Sequence, residues 1–220
     1  MVIIRNQILL IRNKWYNITI DSEENLGETV MDKNIKLFHG SHSIVRIPDL
    51  SISRTDIDFG QGFYLSSDFA ISAKWACRTA NSICNEYNLL TDDLKIHKFE
   101  LDKDWLDYVV RNRNEETDNP SVFDQYDVLI GAIADDKLFH TIEMYEDGLI
   151  SAKNAIEIMN CMDYGLQYVL KTEKAVKNLE YEGHIKITGK DKLQYKRQYQ
   201  EDRIEATRRT HKMLKELNGR

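Results

Sequence analysis

Phe59-Gly60-Gln61-Gly62-Phe63-Tyr64-Leu65-Ser66-Ser67-Asp68-Phe69-Ala70-Ile71-Ser72-Ala73-Lys74-Trp75-Ala76 joins a two-glycine turn, a short strand and a helix, and the rest of the chain is read outward from it. On an ideal helix starting near Ser67, one face carries Asp68, Ser72, Trp75 and Thr79. The other carries Phe69, Ala73, Ala76 and Ala80, and is the face expected to pack inward. An indole among hydroxyls and a carboxylate reads as a ring lining a pocket. The competing reading is a Trp at the edge of the core, where that residue is common.

Upstream, Ile35-Lys36-Leu37-Phe38-His39-Gly40-Ser41 is an apolar strand ending in a polar turn, where Gly40 would let a ligand approach the backbone. The segment from there to Asp58 is irregular and loop-like. Downstream, Ile83–Leu89 and Leu94–Phe99 read as strands around the turn Thr91-Asp92-Asp93, and Asp104 as the cap of a helix from Trp105 to about Arg113. The apolar run Tyr126–Ile133 suits a central strand, and Ala134-Asp135-Asp136 is placed to cap a helix containing Phe139, Ile142 and Met144. Ser151 opens a helix with Ala155, Ile158, Met159 and Met162 inward. Gln167–Leu170 is a strand, Thr172 caps a short helix through Leu179, and His184–Ile187 is a last strand. Strands and helices are interspersed, with strands close enough for antiparallel pairing, so the fold class is α+β and not a doubly wound sheet.

Two short strands, Val2–Ile11 and Trp15–Ile20, flank Arg12-Asn13-Lys14 at hairpin spacing, and acidic Asp21–Glu28 follows as a linker. Residues 1–34 are therefore read as an extension, 35–188 as the main domain and 189–220 as a charged, basic helix. From His184 onward eleven Lys or Arg face five Asp or Glu, a net +6, against −12 for the remainder. That helix reads first as a solvated helix packed on the body or a partner, and second as a nucleic-acid contact through phosphate neutralisation.

The 220 residues are 42% apolar, enough for a real core. Cys77, Cys84 and Cys161 show neither Cys-x-x-Cys nor closely paired His, which points away from zinc and disulfides and toward a reducing, cytoplasmic setting without a metal. Neither a signal peptide nor a membrane-spanning run is read. Gly60-Gln61-Gly62 is not a dinucleotide fingerprint, because position 65 is Leu and a strand follows where a helix should begin. Phosphate-loop, His-Glu-x-x-His and Gly-x-Ser-x-Gly patterns are missing too. His97, His140 and His184 have no motif support, and Cys77 and Cys84 read as buried thiols.

What remains is a dispersed set: His39-Gly40-Ser41 at a strand end, Tyr64 after the two glycines, Ser72 and Trp75 at helical spacing, and Gln167 at the start of a late strand. This resembles the ADP-ribosyltransferase superfamily, in the His-Tyr-Glu branch that holds the poly-ADP-ribose polymerases and diphtheria toxin. In those polymerases a His-Gly-Ser strand precedes a Gly-x-Gly-x-Tyr segment, with a second aromatic eleven residues past the Tyr and a Ser three before that aromatic. Tyr64, Ser72 and Trp75 keep those intervals. Gln167-Tyr168-Val169-Leu170 looks like the last motif with Gln in place of the catalytic Glu. The span from Phe38 through Phe59–Tyr64 to Asp127–Gly131 and Ala134-Asp135-Asp136 also looks like an uncharacterised bacterial family of the superfamily, some members of which are suspected toxin–antitoxin or phage-defence components.

The resemblance, covering roughly residues 36–187, implies an ADP-ribosyltransferase-like fold of two packed antiparallel or mixed β-sheets with flanking helices. It implies that His39 orients a ribose hydroxyl of NAD+, that the Gly40 backbone and Ser72 hydroxyl hold the carboxamide with Ser41 and Gly62 nearby, and that Tyr64 and Trp75 sandwich the nicotinamide. Gln167 takes the catalytic place, and Glu173 or Asp136 would compensate for its missing charge. Arg54, chosen for its charge and position before the turn, is assigned to the pyrophosphate. The expected activity is mono-ADP-ribosylation of a protein or nucleic-acid acceptor, with an antitoxin or regulatory partner. The alternatives are a degenerate NAD+-binding module and a nucleic-acid-binding protein acting through the tail.

Overall fold

The computed structural model describes residues 5–11, 14–20, 33–115, 118–134, 141–160 and 165–218. They fall into two compact units, Met1–Met31 and Asp32–Arg220. In the first, β1 (Arg5–Ile11) pairs antiparallel with β2 (Lys14–Ile20), as the hairpin spacing predicts. The linker expected at Asp21–Glu28 lies outside the described residues.

The second unit is α+β, with two open sheets and flanking helices. One sheet places β5 (Ile83–Leu90) between β3 (Asn34–Ser41) and β9 (Leu179–Lys186), all antiparallel. The other runs β4 (Phe63–Leu65), β8 (Leu166–Leu170), β7 (Val128–Ala132), β6 (Ile96–Lys98), antiparallel except for the parallel β6–β7 pair. The sheets touch where Phe63 meets Tyr87 edge-on, ring centroids 5.7 Å apart. The two strands read around Thr91–Asp93 thus do not form a hairpin: β5 and β6 enter different sheets. Asp93 supplies a left-handed turn at φ 65°, and Asp127, not β5, fixes the β6 end by accepting from Lys95 N at 2.9 Å.

Local chemistry explains the helices. Asp68 accepts from Ala70 N at 2.7 Å and opens α1 (Phe69–Ala76), which buries Ser72, Ala73 and Ala76. The cap of α2 (Lys103–Arg113) is Asp102, not Asp104. Its carboxylate reaches Trp105 N at 3.1 Å, while Asp104 sits inside the first turn and favours the helix dipole. The helix α3 (Thr141–Glu146) follows an undescribed stretch, 135–140, in which the expected Asp135-Asp136 cap and Phe139 fall. Ser151 Oγ accepts from Asn154 N ahead of α4 (Ala152–Asn160), which buries Ala155, Ile158 and Met159 as read; Met162 is outside the described residues. Thr172 caps α5 (Glu173–Lys177), and Leu179 starts β9, which is longer than the strand read at His184–Ile187.

The main core lies between the four-stranded sheet and α2–α4, where Phe59, Phe99, Trp105, Leu106, Val109, Leu129 and Val169 are buried together. A second cluster joins Ala73, Ala76, Cys77, Cys84 and Ile187. The final helix, α6 (Gly189–Asn218), packs on α1: Lys74 pairs with Asp202 at 2.5 Å, Phe69 meets Tyr195, and Lys192 donates to the carbonyls of Thr79 and Ala80. Among the described residues no helix is long and apolar enough to cross a membrane.

Candidate functional site where the two sheets meet

Three of the candidate residues, His39, Gly40 and Ser72, meet where β3 leaves β4. Phe38 and Ser66 exchange backbone hydrogen bonds of 2.8 and 2.9 Å, a single bridge that joins the sheets before they part. One residue on, His39 Nδ1 lies 2.7 Å from the carbonyl oxygen of Tyr64. A carbonyl only accepts, so Nδ1 carries the proton and the neutral ring leaves Nε2 as an acceptor. Among the described residues nothing bonds to that nitrogen. Burial pushes the imidazole pKa down, opposed by the bond to Tyr64.

At Gly40 the missing Cβ makes room for close packing. A Cβ there would run into the carbonyl of Ser72 and come within 2.8 Å of Ala76 N, so the neighbour pressed against the glycine is helix α1. That contact brings the His-Gly-Ser strand directly onto the helix carrying Ser72 and Trp75. Ser72 is buried and does not share the exposure of Trp75 as the helical stripe implies. Its hydroxyl donates to Phe38 O at 3.0 Å, which leaves the oxygen lone pairs to accept, for example from a carboxamide N–H. Ser41 Oγ donates to Ser43 O and accepts from Asn85, a fully buried side chain whose Oδ1 also receives Val45 N at 3.0 Å. Asn85 faces His39 across the β3–β5 ladder and latches the loop that follows the motif. Its place inside an ordinary apolar strand gave no signal of that role.

Tyr64 and Trp75 have separate surroundings. The Tyr64 ring packs against the main core, and its hydroxyl donates to Gly60 O at 2.7 Å and accepts from Phe59 N at 3.0 Å. Burial, then the charge of Asp58, raises the phenol pKa well above its ordinary value. Gly60, at φ +66°, gives the turn that makes those bonds available. Trp75 is 38% exposed and lies under the Arg78 guanidinium, 4.4 Å from its ring, and the same guanidinium faces Tyr199 of α6. Among the described ring contacts none pairs Tyr64 with Trp75.

Gln167 lies at the second centre of the site. Tyr64 stands opposite Val169 in the β4–β8 ladder, so Gln167, two residues along, shares its sheet face. The residue is 6% exposed. Its Nε2 donates to Asp58 Oδ2 and to Ala132 O, each at 3.0 Å. Asp58 also accepts from Arg113 Nη2 at 2.7 Å, Arg113 Nε at 3.2 Å and Ala134 N at 2.9 Å. Among the described residues, no donor reaches Gln167 Oε1. A buried carbonyl left this way costs about 1–3 kcal/mol, the kind of debt that a ligand hydroxyl or water relieves. Glu173, considered as a compensating carboxylate, is exposed in the first turn of α5, and Asp136 lies outside the described residues. The carboxylate beside Gln167 is Asp58, which sequence reading left at the end of an irregular loop.

Arg54 is exposed and tied to its neighbour Asp56 by bonds of 2.9 and 2.7 Å. Gly62 donates its N–H to Ser53 Oγ at 3.1 Å. A separate cavity of about 520 Å³ shares Gly60 and Gln61 with the turn but is otherwise lined by Arg111, Asn112 and Lys171 among others. There burial pulls the Lys171 pKa down to about 8, with its ammonium held on Phe59 O. His97 sits among Phe99, Phe123 and Tyr126, and His184 bonds Tyr181 OH, both structural placements; His140 and Cys161 are outside the described residues. Cys77 and Cys84 are buried free thiols, and burial pushes Cys84 up to about 12.

Residues 35–181 match the family described as protein of unknown function, DUF3990. The chain belongs to that family. The matched span takes in His39, Asp58, Tyr64, Ser72, Trp75, Arg113 and Gln167, and ends within β9, before α6. Neither the curated proteins nor the solved structures provide a match.

Proposed function

We propose that this protein is an NAD+-dependent mono-ADP-ribosyltransferase of ADP-ribosyltransferase-like fold, in the His-Tyr-Glu branch. The observation that carries the reading is the junction at Phe38–Ser66. There His39 and Gly40 are bonded or packed with Ser72, remote from them in sequence, and among the described residues His39 keeps an unbonded acceptor nitrogen and Ser72 unbonded acceptor lone pairs. These acceptors suit the donors that a nicotinamide riboside presents, ribose hydroxyls and a carboxamide N–H.

In the reaction, the bond from nicotinamide nitrogen to ribose C1′ breaks, nicotinamide leaves with the electron pair, and an oxocarbenium-like carbon forms. An acceptor oxygen or nitrogen attacks that carbon and loses its proton to a base or to water. His39 Nε2 accepts from a ribose hydroxyl and orients it. Ser72 and the Gly40 backbone hold the carboxamide, Trp75 offers an exposed aromatic face, and Gln167 Oε1 accepts from a second hydroxyl. Gln167 carries no charge and takes no proton, so a weak sugar nucleophile gains little from it, and single transfer to a macromolecule is favoured over chain growth.

The same neutral Gln167 favours a second reading, a module that binds NAD+ without turning it over. Incubation of the full chain with NAD+ labelled in the adenylate and with cell lysate separates the two. Release of nicotinamide with label transfer, lost in His39→Ala and weakened in Trp75→Ala, is the expected result. Saturable binding without release selects the module, and no binding at all defeats both. The nucleic-acid reading of α6 has less support, because several of its cations are engaged. Lys192 caps the end of the α1 segment, and Arg208 and Arg209 both pair with Glu205.

A further inference from the structure

We propose that Asp58 is a positioning residue for this site: it locks the Gln167 amide so that Oε1 is the atom offered to a ligand hydroxyl, and it makes glutamine the residue that fits position 167. The identity of that hydroxyl as a ribose one rests on the NAD+ reading; the lock itself does not.

Four chain segments meet at this point. Asp58 comes from the loop before the Gly-x-Gly turn, Gln167 from β8, Ala132 and Ala134 from the end of β7, and Arg113 from the last turn of α2. Both hydrogens of Gln167 Nε2 have acceptors, Asp58 Oδ2 and Ala132 O. Neither acceptor can turn away. Ala132 O belongs to a strand, and the Asp58 carboxylate is pinned by Arg113 and by Ala134 N, while Arg113 also donates to Ala134 O. Reversing the amide would set Oε1 against a carboxylate and a carbonyl with no hydrogen between them. One orientation therefore survives, and it leaves Oε1 buried and without a donor among the described residues.

The same wiring acts on chemistry. A carboxylate bonded to Nε2 draws the amide toward its charge-separated form and strengthens Oε1 as an acceptor, so part of the Asp58 charge is felt at the ligand side. A glutamate at 167 would instead place a second carboxylate about 3 Å from the first, where both cannot be ionised together. Position 167 thus carries a neutral, polarised acceptor, and a carboxylate there requires a different residue at 58.

The test uses the full chain and two readouts. Without ligand, the side-chain amide resonances of Gln167 should be shifted and slow to exchange with water, and Asp58→Ala, which removes the acceptor, should abolish both features. Resonances that exchange as fast as those of an exposed glutamine in the native protein would overturn the lock. With NAD+ as the probe, Gln167→Glu should weaken binding by about tenfold or more through like-charge opposition. Gln167→Glu binding as tightly as the native chain, with Asp58 intact, would sink the proposal. A native chain that ignores NAD+ defeats the transferase and module readings alone, and the ligand-free resonances still decide the lock. Variants are compared by melting curves, and Gln167→Glu keeps the Asp58–Arg113 pair, so a fold lost in Asp58→Ala leaves the second readout standing.

Discussion

Asp56 and Asp58 lie two residues apart on one loop, and each faces an arginine through Nε and Nη2. The Asp56 pair is local, with Arg54 two residues back, and its side chains are 49% and 65% exposed. The Asp58 pair spans 55 residues to Arg113, is 14% and 24% exposed, and adds bonds to Ala134 N and Gln167. Exposed pairs trade contacts with water for contacts with each other and gain little. A pair withdrawn from water holds its partners fixed, because leaving one of them unmet is costly. Charge and location before the two-glycine turn singled out Arg54 in the sequence, whereas the structure concentrates its bonding around Asp58.

The largest expected effect breaks this contrast at its base. Asp58→Ala takes the buried carboxylate away from Arg113, Ala134 N and the Gln167 amide, and should lower unfolding free energy by about 3 kcal/mol, read from urea titrations. Asp56→Ala should cost about 0–1 kcal/mol in the same measurement. Equal losses would mean that burial is not what separates the two aspartates.

A parallel contrast exists between two strand glycines of the same sheet. Gly40 is pressed on the α1 backbone, whereas nothing lies within 4 Å of the Cβ that Gly183 lacks. Gly40→Ala should destabilise by about 1–3 kcal/mol, since helix and strand must move apart. Gly183→Ala should be neutral or stabilising by about 0.5 kcal/mol. Thermal melts of the two variants decide whether the strand-to-helix contact is as tight as described.

Next in size is a pH effect that sharpens the role of His39. Its folded pKa lies below the ordinary value of 6.5, so below that pH the unfolded chain takes up a proton that the folded chain resists. The stabilisation is complete above pH 6.5 and is lost as pH falls, at up to about 1.4 kcal/mol per pH unit. His97, lowered by burial as well, moves stability in the same direction. Urea midpoints from pH 8 to pH 5 should therefore decline less in His39→Asn than in the native chain. An identical decline would show that the ring is not held neutral by its surroundings.

The elements were largely legible because their signals are local. Thr172 and Ser151 stand where side-chain oxygens can reach the first turns of α5 and α4, and the apolar run Tyr126–Ile133 contains the buried strand β7. Sheet membership was not legible. The strands around the Thr91–Asp93 turn carry no mark of which sheet each enters, and only the long-range ladders show that the chain crosses from one sheet to the other there. The site divides in the same way. His39 and Gln167 stand out in the sequence only through the order of motifs, and Tyr64, Ser72 and Trp75 through their intervals, but the partners of Gln167 are 109 and 35 residues away, and no spacing encodes them. Asp58 looked like one more polar residue in a loop. Asn85, inside a strand, carries no local signal of its role.

The smallest expected effect on stability falls at Trp75, and its value lies in separating fold from binding. Trp105 is fully buried, its indole N–H bonded to Ala132 O at 3.2 Å, so its removal would damage the core. Trp75 is largely held by Arg78 stacked over its ring. Cation–π contacts at exposed positions contribute about 0.5–1 kcal/mol, which sets the scale of the melting change for Trp75→Ala. If the exposed face of that ring stacks on nicotinamide, the same substitution removes a further 0.5–1.5 kcal/mol of stacking, or roughly 2- to 13-fold in NAD+ affinity. Trp75→Phe should recover part of the affinity and little of the Arg78 contact. Calorimetric titration with NAD+ in both variants gives the answer: binding that is unchanged while the melting temperature drops would make Trp75 an anchor for Arg78 and α6, and would take the indole out of the nicotinamide slot.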